Sequence, residues 1–402
     1  MSVGVHPTPD LIPAAFGRLR SLRDHALDGA LHRPTPAGGI SALRTGESAR
    51  VPRPLPFCEL GPACEVAWPP ERSVTLPAQH AYRIAGARVL GLGLLRDAEG
   101  CLLAGEDTAH WPAAPAEQWH RQLYARLQPL TRPPDHALPD PDALRLRPLP
   151  LTAPTLLLAQ NGARMFGHWL LELLPRLLLA QQLGLPFAQV LVAAGMPSRI
   201  AEALPLLGLA PESLVTYDPA GDEPLCADLF YLPAPWQRRV FHPLAAALFE
   251  DLRLRLAAGC PATASAPRRL YLSRRHWRIG GRQLVNRDEL APLLAAEGFV
   301  EVSPERLPLA QQAALLRRAE AVVADEGSAA HLVVFAPPSA RLLVLGPTTL
   351  RNPYHVAVAE LRGQAYGLLY GPPSGPIDAR ERADFSIDAA LLGQALRLLC
   401  AR

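Results

Sequence analysis

The sequence predicts an α/β protein built from two Rossmann-like domains that face each other across a cleft. Two series of alternating strands and helices carry this prediction, one over residues 154–258 and a second that begins at Arg269. Residues 259–267 are small or proline, as is typical of a linker, and a chain of 402 residues exceeds one typical core. We therefore expect an N-terminal domain at 81–258, a C-terminal domain at 268–375 and a helix within 376–402.

The first series alternates strands and helices with short connections. Short apolar runs predict strands at Thr155–Leu158, Gln189–Ala193, Leu214–Tyr217 and Leu229–Leu232. Helices are predicted within Asn161–Arg176 and at Ser198–Leu207 and Pro243–Ala258. Such an order favours a parallel sheet with helices packed on it.

The second series repeats this pattern. Its predicted strands are Leu270–Leu272, Phe299–Val302, Ala321–Ala324 and Arg341–Leu345. Helices are predicted from Asn286, from Pro308 and at Ala329–Phe335. Asn286 is an N-cap residue with Glu289 three positions later, which is the spacing of a capping box, and Pro308 suits the first helical position.

Residues 1–80 are predicted to form a helical and proline-rich extension. Leu11–Leu31 has the pattern of one amphipathic helix, which we expect to dock on the body of the protein, with a membrane surface as the alternative. After the extension, Arg88–Leu95 and Cys101–Leu103 flank a turn and predict a hairpin. A further helix is predicted at Trp119–Leu127.

Composition removes several classes of function. All 40 basic residues are arginine, so a Schiff-base lysine and a P-loop lysine are excluded. The net charge of +3 and the lack of an arginine-rich block with interleaved aromatics argue against nucleic-acid binding. No apolar run approaches the ~20 residues of a membrane span. The six cysteines show no zinc spacing, so we expect a cytoplasmic protein, with peripheral attachment to the inner membrane face as an alternative.

A first candidate site follows the strand at Thr155–Leu158. His168, Glu172 and Arg176 recur at steps of four, which places them on one face of a helix. The end of a strand is where open α/β sheets bind ligands. The alternative is a surface ion pair of Glu172 and Arg176 beside an ordinary capping or core histidine.

A second candidate site is the loop Ser273–Arg282, which leaves the first strand of the C-terminal series. Its four arginines and Gly280–Gly281 suit a doubly charged anion such as a diphosphate, because arginine binds phosphate oxygens bidentately and glycine lets the backbone approach. The alternative is a solvated basic loop.

A third candidate site is Asp325–His331, where a strand, a Gly–Ser turn and a helix start follow one another. Free backbone N–H groups at Gly327 and Ser328 predict an anion site. We expect Glu326 to accept hydrogen bonds from a sugar, ribose or base, while Ser328 alternatively caps the helix. The D-x-D at residues 140–142 lies in a proline-rich loop rather than at a strand end, so no metal site is predicted.

These blocks, taken in order, resemble glycosyltransferase family 61, a family that includes bacterial capsular-polysaccharide-type transferases. Asn161–Arg176 resembles the family's H-W-L-x-[ED]-x-x-P-R block with its preceding asparagine. Arg269–Glu289 resembles its Y-[IV]-S-R…R…N-[ED] block, and residues 298–305 resemble the G-F…P-E that follows. Asp325–His331 resembles its H-G-[AS] block, so the likeness spans roughly residues 80–375.

Three positions depart from the family pattern. Glu326 stands where a histidine is usual, Leu332 where an asparagine is usual, and Arg287 where an acidic residue commonly follows Asn286. The departures at Glu326 and Leu332 support one alternative function, a non-catalytic relative that binds nucleotide sugars or glycans in a polysaccharide assembly complex. A hydrolase of activated sugars is a second alternative.

The resemblance implies a GT-B fold and an inverting, metal-independent hexosyl or pentosyl transfer without a cofactor. The donor would be a nucleotide sugar, most simply a UDP-sugar, and the acceptor a hydroxyl of a glycan or related molecule in surface or capsular polysaccharide synthesis. His168 would be the general base oriented by Glu172, or Glu172 the base itself. The implied donor-binding residues are Arg274, Arg282, Asn286, Glu326, Gly327 and Ser328.

Overall fold

The protein is mixed α/β and divides into two compact units. A computed structural model describes residues 19–22, 39–66, 72–104, 123–130, 142–237, 239–260, 266–277, 281–378 and 382–401. Unit 1 comprises residues 1–48, 77–198 and 208–235, and unit 2 comprises residues 49–76, 199–207 and 236–402.

Strands are numbered along the chain. The first ten are β1 Leu19–Ser21, β2 Ile40–Gly46, β3 Ala49–Pro52, β4 Cys58–Leu60, β5 Ser73–Leu76, β6 Gln79–Leu90, β7 Leu94–Arg96, β8 Leu102–Ala104, β9 Arg147–Leu151 and β10 Thr155–Leu158. The next ten are β11 Gln189–Ala193, β12 Leu214–Tyr217, β13 Asp222–Tyr231, β14 Trp236–Gln237, β15 Val240–Phe241, β16 Arg269–Leu272, β17 Val300–Val302, β18 Ala321–Asp325, β19 Arg341–Pro347 and β20 Ala365–Gly371.

Helices connect these strands. Helix α1 has three parts, the α-helical turn Phe166–His168, the π-helical segment Trp169–Leu173 and the α-helical segment Leu174–Gln182. Further α-helices are α2 Ser198–Ala203, α3 Ala245–Gly259, α4 Arg287–Ala296, α5 Leu309–Leu316, α6 Pro353–Arg362 and α7 Ala389–Cys400. Short 3-10 helices are Gln128–Leu130, Leu204–Leu207, Pro211–Ser213, Pro304–Arg306 and Ser328–Phe335.

Unit 1 contains a ten-stranded sheet with a parallel centre. Strand β10 pairs in parallel with β11 and β13, and β11 pairs in parallel with β12. Strand β13 is antiparallel to β6. All four residues of β10 are buried, as an apolar Thr-Leu-Leu-Leu run predicts for a strand covered on both faces. The carboxyl ends of the parallel strands therefore meet at one edge, where sheets of this kind bind ligands.

Unit 2 contains a six-stranded parallel sheet in the order β17-β16-β18-β19-β20-β4. Strands β16 and β18 are neighbours, so the segments that leave them at Ser273 and Glu326 begin side by side. Helix α7 covers this sheet with Leu392, Ala395 and Leu396, which are at most 1% exposed. Their spacing forms one apolar helical face, and Asp388 caps the helix by accepting the N–H of Leu391 at 2.9 Å.

The boundaries of the units differ from those of the predicted domains. Residues 40–60, predicted as an extension, contribute strands to both units, because β2 pairs with β6 in unit 1 and β4 pairs with β20 in unit 2. Helix α3, predicted to close the first series, groups with unit 2. Residues 261–265 of the predicted linker lie outside the described residues.

Most predicted elements are present, and four predictions require correction. The predicted strand Arg88–Leu95 is interrupted by a turn at residues 91–93, so it is divided between β6 and β7, which pair with each other. The predicted helix Leu11–Leu31 is wrong at Leu19–Ser21, which forms β1 and pairs with β8; the remaining residues, apart from Leu22, lie outside the described ranges. Strand β13 begins at Asp222 rather than Leu229, because its first half pairs with β9. The predicted α-helix at Ala329–Phe335 is a 3-10 helix.

Two further predictions concern helices. The structure describes residues 123–127 of the helix predicted at Trp119–Leu127, and these are helical. The helix predicted within 376–402 is α7. Within the described ranges, no helix has the length and apolarity that crossing a membrane requires.

Candidate active site

The first candidate motif lies where β10 is followed by α1 in unit 1. The turn at residues 161–164 leads into the first helical turn, which ends at His168, and the π-helical segment that follows contains Glu172. Short π-helical segments inside α-helices are frequent at functional sites. Trp169 is fully buried and donates its indole N–H to the carbonyl of Ala163 at 2.6 Å, which holds the turn against the helix.

His168 and Glu172 form a short hydrogen bond. The imidazole Nδ1 lies 2.5 Å from Oε1 of the carboxylate, so their predicted position on one helical face is confirmed. The side chain of His168 is 24% exposed, whereas that of Glu172 is 7% exposed. The histidine therefore presents part of its ring to solvent, and the carboxylate that holds it is buried.

The buried carboxylate continues into a polar chain. Gln160 donates to Oε2 of Glu172 at 2.6 Å, and Arg176 donates to the amide oxygen of Gln160 at 2.5 Å. Arg176 is 2% exposed and Glu172 is 6% exposed, so the alternative of a surface ion pair between them is wrong. Sequence reasoning missed Gln160, although a polar residue at the end of an apolar run was its available signal.

Opposing effects act on the pKa of His168. Burial lowers the pKa, but the hydrogen bond and the negative charge of Glu172 raise it more, so the net shift is upward from the ordinary value. If Nδ1–H donates to Glu172, the lone pair of the neutral ring is on Nε2. Gly162 has a φ of +86°, and its backbone lies so close to the ring of His168 that a side chain there would collide with it.

In unit 2, Asp325 at the end of β18 anchors the segment that follows β16. Its carboxylate accepts the hydroxyl of Tyr271 at 2.8 Å, the backbone N–H of Arg274 at 2.9 Å and the guanidinium of Arg287 at 2.8 Å. Asp325 is fully buried and Arg287 is 7% exposed. Burial and the adjacent charge of Asp325 raise the pKa of Tyr271, so this hydroxyl stays protonated and donates. Arg287, one of the departures from the family pattern, is thus a buried structural cation.

Glu326 does not stand open to a ligand, contrary to the prediction that it contacts the donor. It is 2% exposed. Its Oε1 accepts from Asn352 at 3.0 Å and from Arg282 at 3.5 Å, and its Oε2 lies 2.9 Å from Nε2 of His355. Burial raises its pKa, but these partners, the charge of His355 first, lower it more, to about 2. The carboxylate is ionised, and it positions Arg282 and His355.

Sequence reasoning missed His355 and Asn352. Asn352 accepts the N–H of Tyr354 at 3.0 Å and caps α6, and Pro353 occupies its first turn. The Asn–Pro pair was a local signal for this helix start. Nothing local pointed to the pairing with Glu326, because His355 lies 29 residues further along the chain.

Arg274 and Arg282 form a close pair of cations beside the 3-10 helix Ser328–Phe335. The side chain of Arg282 is 19% exposed and Arg274 is 6% exposed. Burial and then the charge of Arg282 lower the pKa of Arg274 to about 10. Within the described part of the chain, the buried Nε of each arginine has no hydrogen-bond partner. Two adjacent cations with unsatisfied donors suit an anion.

Gly327 allows the guanidinium group of Arg274 to lie directly against the backbone. Its φ is +148°, and a Cβ at this position would collide with Nη1 of Arg274. Gly327 occupies the N-cap position of the 3-10 helix and half-buried Ser328 is its first residue, so the alternative in which Ser328 merely caps the helix is wrong. Gly327 and Ser328 therefore lie at a helix start beside two guanidinium groups.

Asn286 has a structural role in these contacts. Its amide NH₂ donates to the carbonyl of Ile387 at 2.9 Å, and its amide oxygen accepts the N–H of Ile387 at 3.1 Å. It occupies the N-cap position of α4 as predicted, but its side chain makes no capping bond. Because both amide groups hold Ile387, we no longer place Asn286 among the donor-binding residues.

Comparison with known proteins supports the resemblance to one family. A family model described as Glycosyltransferase 61 matches residues 166–343, which include His168, Glu172, both arginines of the close pair and Glu326. No curated protein matches the sequence. The order of the blocks and this match agree: residues 166–343 are similar to the glycosyltransferase 61 family, and this similarity supports a glycosyltransferase.

Proposed function

We propose that the protein transfers a sugar from a nucleotide-sugar donor to a hydroxyl of a glycan or related acceptor, with inversion at the anomeric carbon. The observation that carries the proposal is the partly exposed imidazole of His168, held 2.5 Å from a buried carboxylate. That arrangement is typical of a general base whose tautomer and orientation are set by an acidic partner.

His168 is the base in this proposal, and Glu172 orients it. The acceptor oxygen bonds to the anomeric carbon while its proton passes to Nε2 of His168, and the bond from that carbon to the diphosphate breaks with its electron pair. Glu172 is the weaker candidate for the base because it is 6% exposed and both its oxygens hold neighbouring side chains. One displacement of this kind inverts the configuration.

Arg274 and Arg282 would neutralise the departing diphosphate. Their two guanidinium groups supply the positive charge, so the transfer as proposed needs no metal ion. The backbone N–H groups of Gly327 and Ser328 would add donors at the helix start. Glu326 holds Arg282 in place and would not touch the sugar.

Further parts of the proposal rest on the family. We propose a GT-B arrangement with the donor on the C-terminal sheet, a UDP-sugar as donor, and a role in surface or capsular polysaccharide synthesis. Cytoplasmic location is supported by the six free thiols, which accord with a reducing compartment. Peripheral membrane association remains part of this proposal.

A donor panel tests the proposal. Purified protein would be incubated with nucleotide sugars and candidate glycan acceptors, and glycosidic products would be identified by mass spectrometry with the anomeric configuration read by NMR. We expect an inverted linkage, and a loss of about 10²–10⁴-fold in kcat for His168→Ala, the usual contribution of a general base. Glu202→Ala is the matched control, since Glu202 is exposed on α2.

Three results would contradict the proposal. Retention of configuration would exclude a single displacement. Full turnover in His168→Ala would exclude this base. Donor binding without product across the panel would indicate a binding protein instead of a transferase.

A further inference from the structure

Unit 2 contains a second arginine-rich pocket beside α6. The pocket is open to solvent, so it is an accessible recess rather than a sealed void in the core. Of the residues that the structure describes, four arginines line it, namely Arg53, Arg72, Arg239 and Arg351. Neither Arg274 nor Arg282 lines it, so it is distinct from the proposed diphosphate site.

Two of these arginines are held directly opposite one another. The backbone N–H of Arg53 donates to the carbonyl of Arg72 at 2.9 Å, which extends the antiparallel pairing of β3 and β5 by one position. Like charges directly opposite on paired strands are destabilising. The fold therefore brings two cations together at the pocket against their mutual repulsion.

Arg239 reaches the pocket from a strained turn. It lies between β14 and β15 with a φ of +65°, a left-handed conformation that glycine or asparagine adopts more readily than arginine. Among the described residues, the only non-glycine residues with positive φ are Arg239 and Arg282. Strain of this kind is concentrated at ligand-binding sites.

The acidic residue of the lining does not neutralise these cations at neutral pH. Burial raises the pKa of Glu360 to about 8, although the charge of Arg53 lowers it. Arg351 already pairs with Glu59 at 2.6 Å. Among the described residues of the lining, arginines therefore outnumber ionised carboxylates.

The remaining walls are apolar. Leu55 is 64% exposed, and Pro54 and Val356 lie on the same lining. The hydroxyl of Tyr366 donates to the carbonyl of Pro54 at 2.8 Å and fixes this wall. A ligand that fits must combine negative charge with an apolar body.

We propose that this pocket binds an organic phosphate, with the phosphoryl group held by Arg72 and Arg239 and the attached body lying against Leu55. One arginine saturates the two oxygens of a carboxylate, whereas a phosphoryl group has three terminal oxygens and accepts contacts from several guanidinium groups. The inference does not rest on the proposed catalytic mechanism.

Calorimetric titration with 4-nitrophenyl phosphate tests this inference on the full chain. The phosphate is expected to bind more tightly than 4-nitrophenol, and Arg72→Gln and Arg239→Gln should each weaken it about tenfold, the loss of one charge-assisted contact. Arg318→Gln is the matched control, because Arg318 is exposed and outside the lining. Arg274→Gln should leave this affinity unchanged.

Two outcomes would overturn the inference. One is equal affinity in wild type and both pocket variants. The other is loss of binding in Arg274→Gln alone, which would place the phosphate at the proposed donor site and leave that proposal intact. Flotation with phosphatidylcholine vesicles, prepared with and without phosphatidic acid, distinguishes a lipid phosphate from a soluble phosphate ester. Capture that needs phosphatidic acid and both arginines identifies a lipid phosphate, and binding of the small ester without capture identifies a soluble one.

Discussion

Substituting Glu172 by glutamine separates the orienting carboxylate from the proposed base without changing side-chain size. In the native protein its two oxygens face His168 at 2.5 Å and Gln160 at 2.6 Å. A glutamine has one accepting oxygen and one donating NH₂. At least one of the two contacts must therefore change from acceptance to donation, and the imidazole or the amide of Gln160 must turn.

The expected loss of activity in Glu172→Gln follows from the hydrogen bond that is lost. A bond to a charged group contributes about 1.5–3 kcal/mol, and about 1.4 kcal/mol corresponds to a tenfold change in rate. We therefore expect kcat/KM at its plateau to fall roughly 10- to 160-fold in Glu172→Gln. The pKa of His168 should also fall, because burial still lowers it and the raising effect of the carboxylate is gone.

The assay is the pH dependence of kcat/KM on the donor–acceptor pair found by product analysis. A general base must be neutral to act, so activity rises with pH through the pKa of His168. The variant should show a lower plateau and an acid limb displaced to lower pH. Glu202→Gln, exposed on α2, is the matched control, and thermal unfolding monitors folding. An unmoved acid limb with a plateau within about threefold of wild type would refute the assignment.

Three further substitutions test other parts of the structure. Gly327→Ala should raise the donor KM about tenfold, measured by steady-state kinetics, because the methyl group displaces the guanidinium of Arg274; an unchanged KM would contradict the donor placement. Arg287→Met should lower the free energy of unfolding by about 3–5 kcal/mol in urea, since it leaves Asp325 buried and unpaired, and Arg287→Met/Asp325→Leu should lose less. The stability of wild type relative to Glu360→Gln should fall as pH rises from the ordinary carboxyl value of 4.5 through about 8, because the folded state prefers the protonated acid. A pH-independent difference in thermal unfolding would contradict that shift.

The strands that could be predicted are those whose signal is local. Strands β11 and β12 have the predicted bounds because each is a short apolar run between turn residues. The first half of β13 was missed because its polar residues obscure the pattern. Asp222 and Glu223 are held there by Arg147 and Arg88, which lie on other strands. Pairings between strands that are distant in sequence, such as β4 with β20, left no periodicity to detect.

In the candidate site, too, contacts within one helix could be predicted, whereas contacts between distant segments could not. The spacing of His168 and Glu172 predicted their common face because one helical turn joins them. The prediction for Glu326 was wrong because its carboxylate is already held by Arg282 and, from the start of α6, by Asn352 and His355. A carboxylate after a strand resembles a ligand-binding group until those partners are known.

Two histidine–carboxylate pairs among the described residues share the same kind of contact but differ in exposure. In unit 1 the side chain of His168 is 24% exposed beside Glu172, so its ring can meet an acceptor while the carboxylate holds it. In unit 2 the side chain of His355 is 1% exposed beside Glu326, so its ring has no surface to offer a substrate. A base must reach the proton that it removes, whereas a positioning residue need only hold its neighbour. Exposure therefore favours His168 over His355 as the proposed base, and it leaves His355 to hold the carboxylate that contacts Arg282.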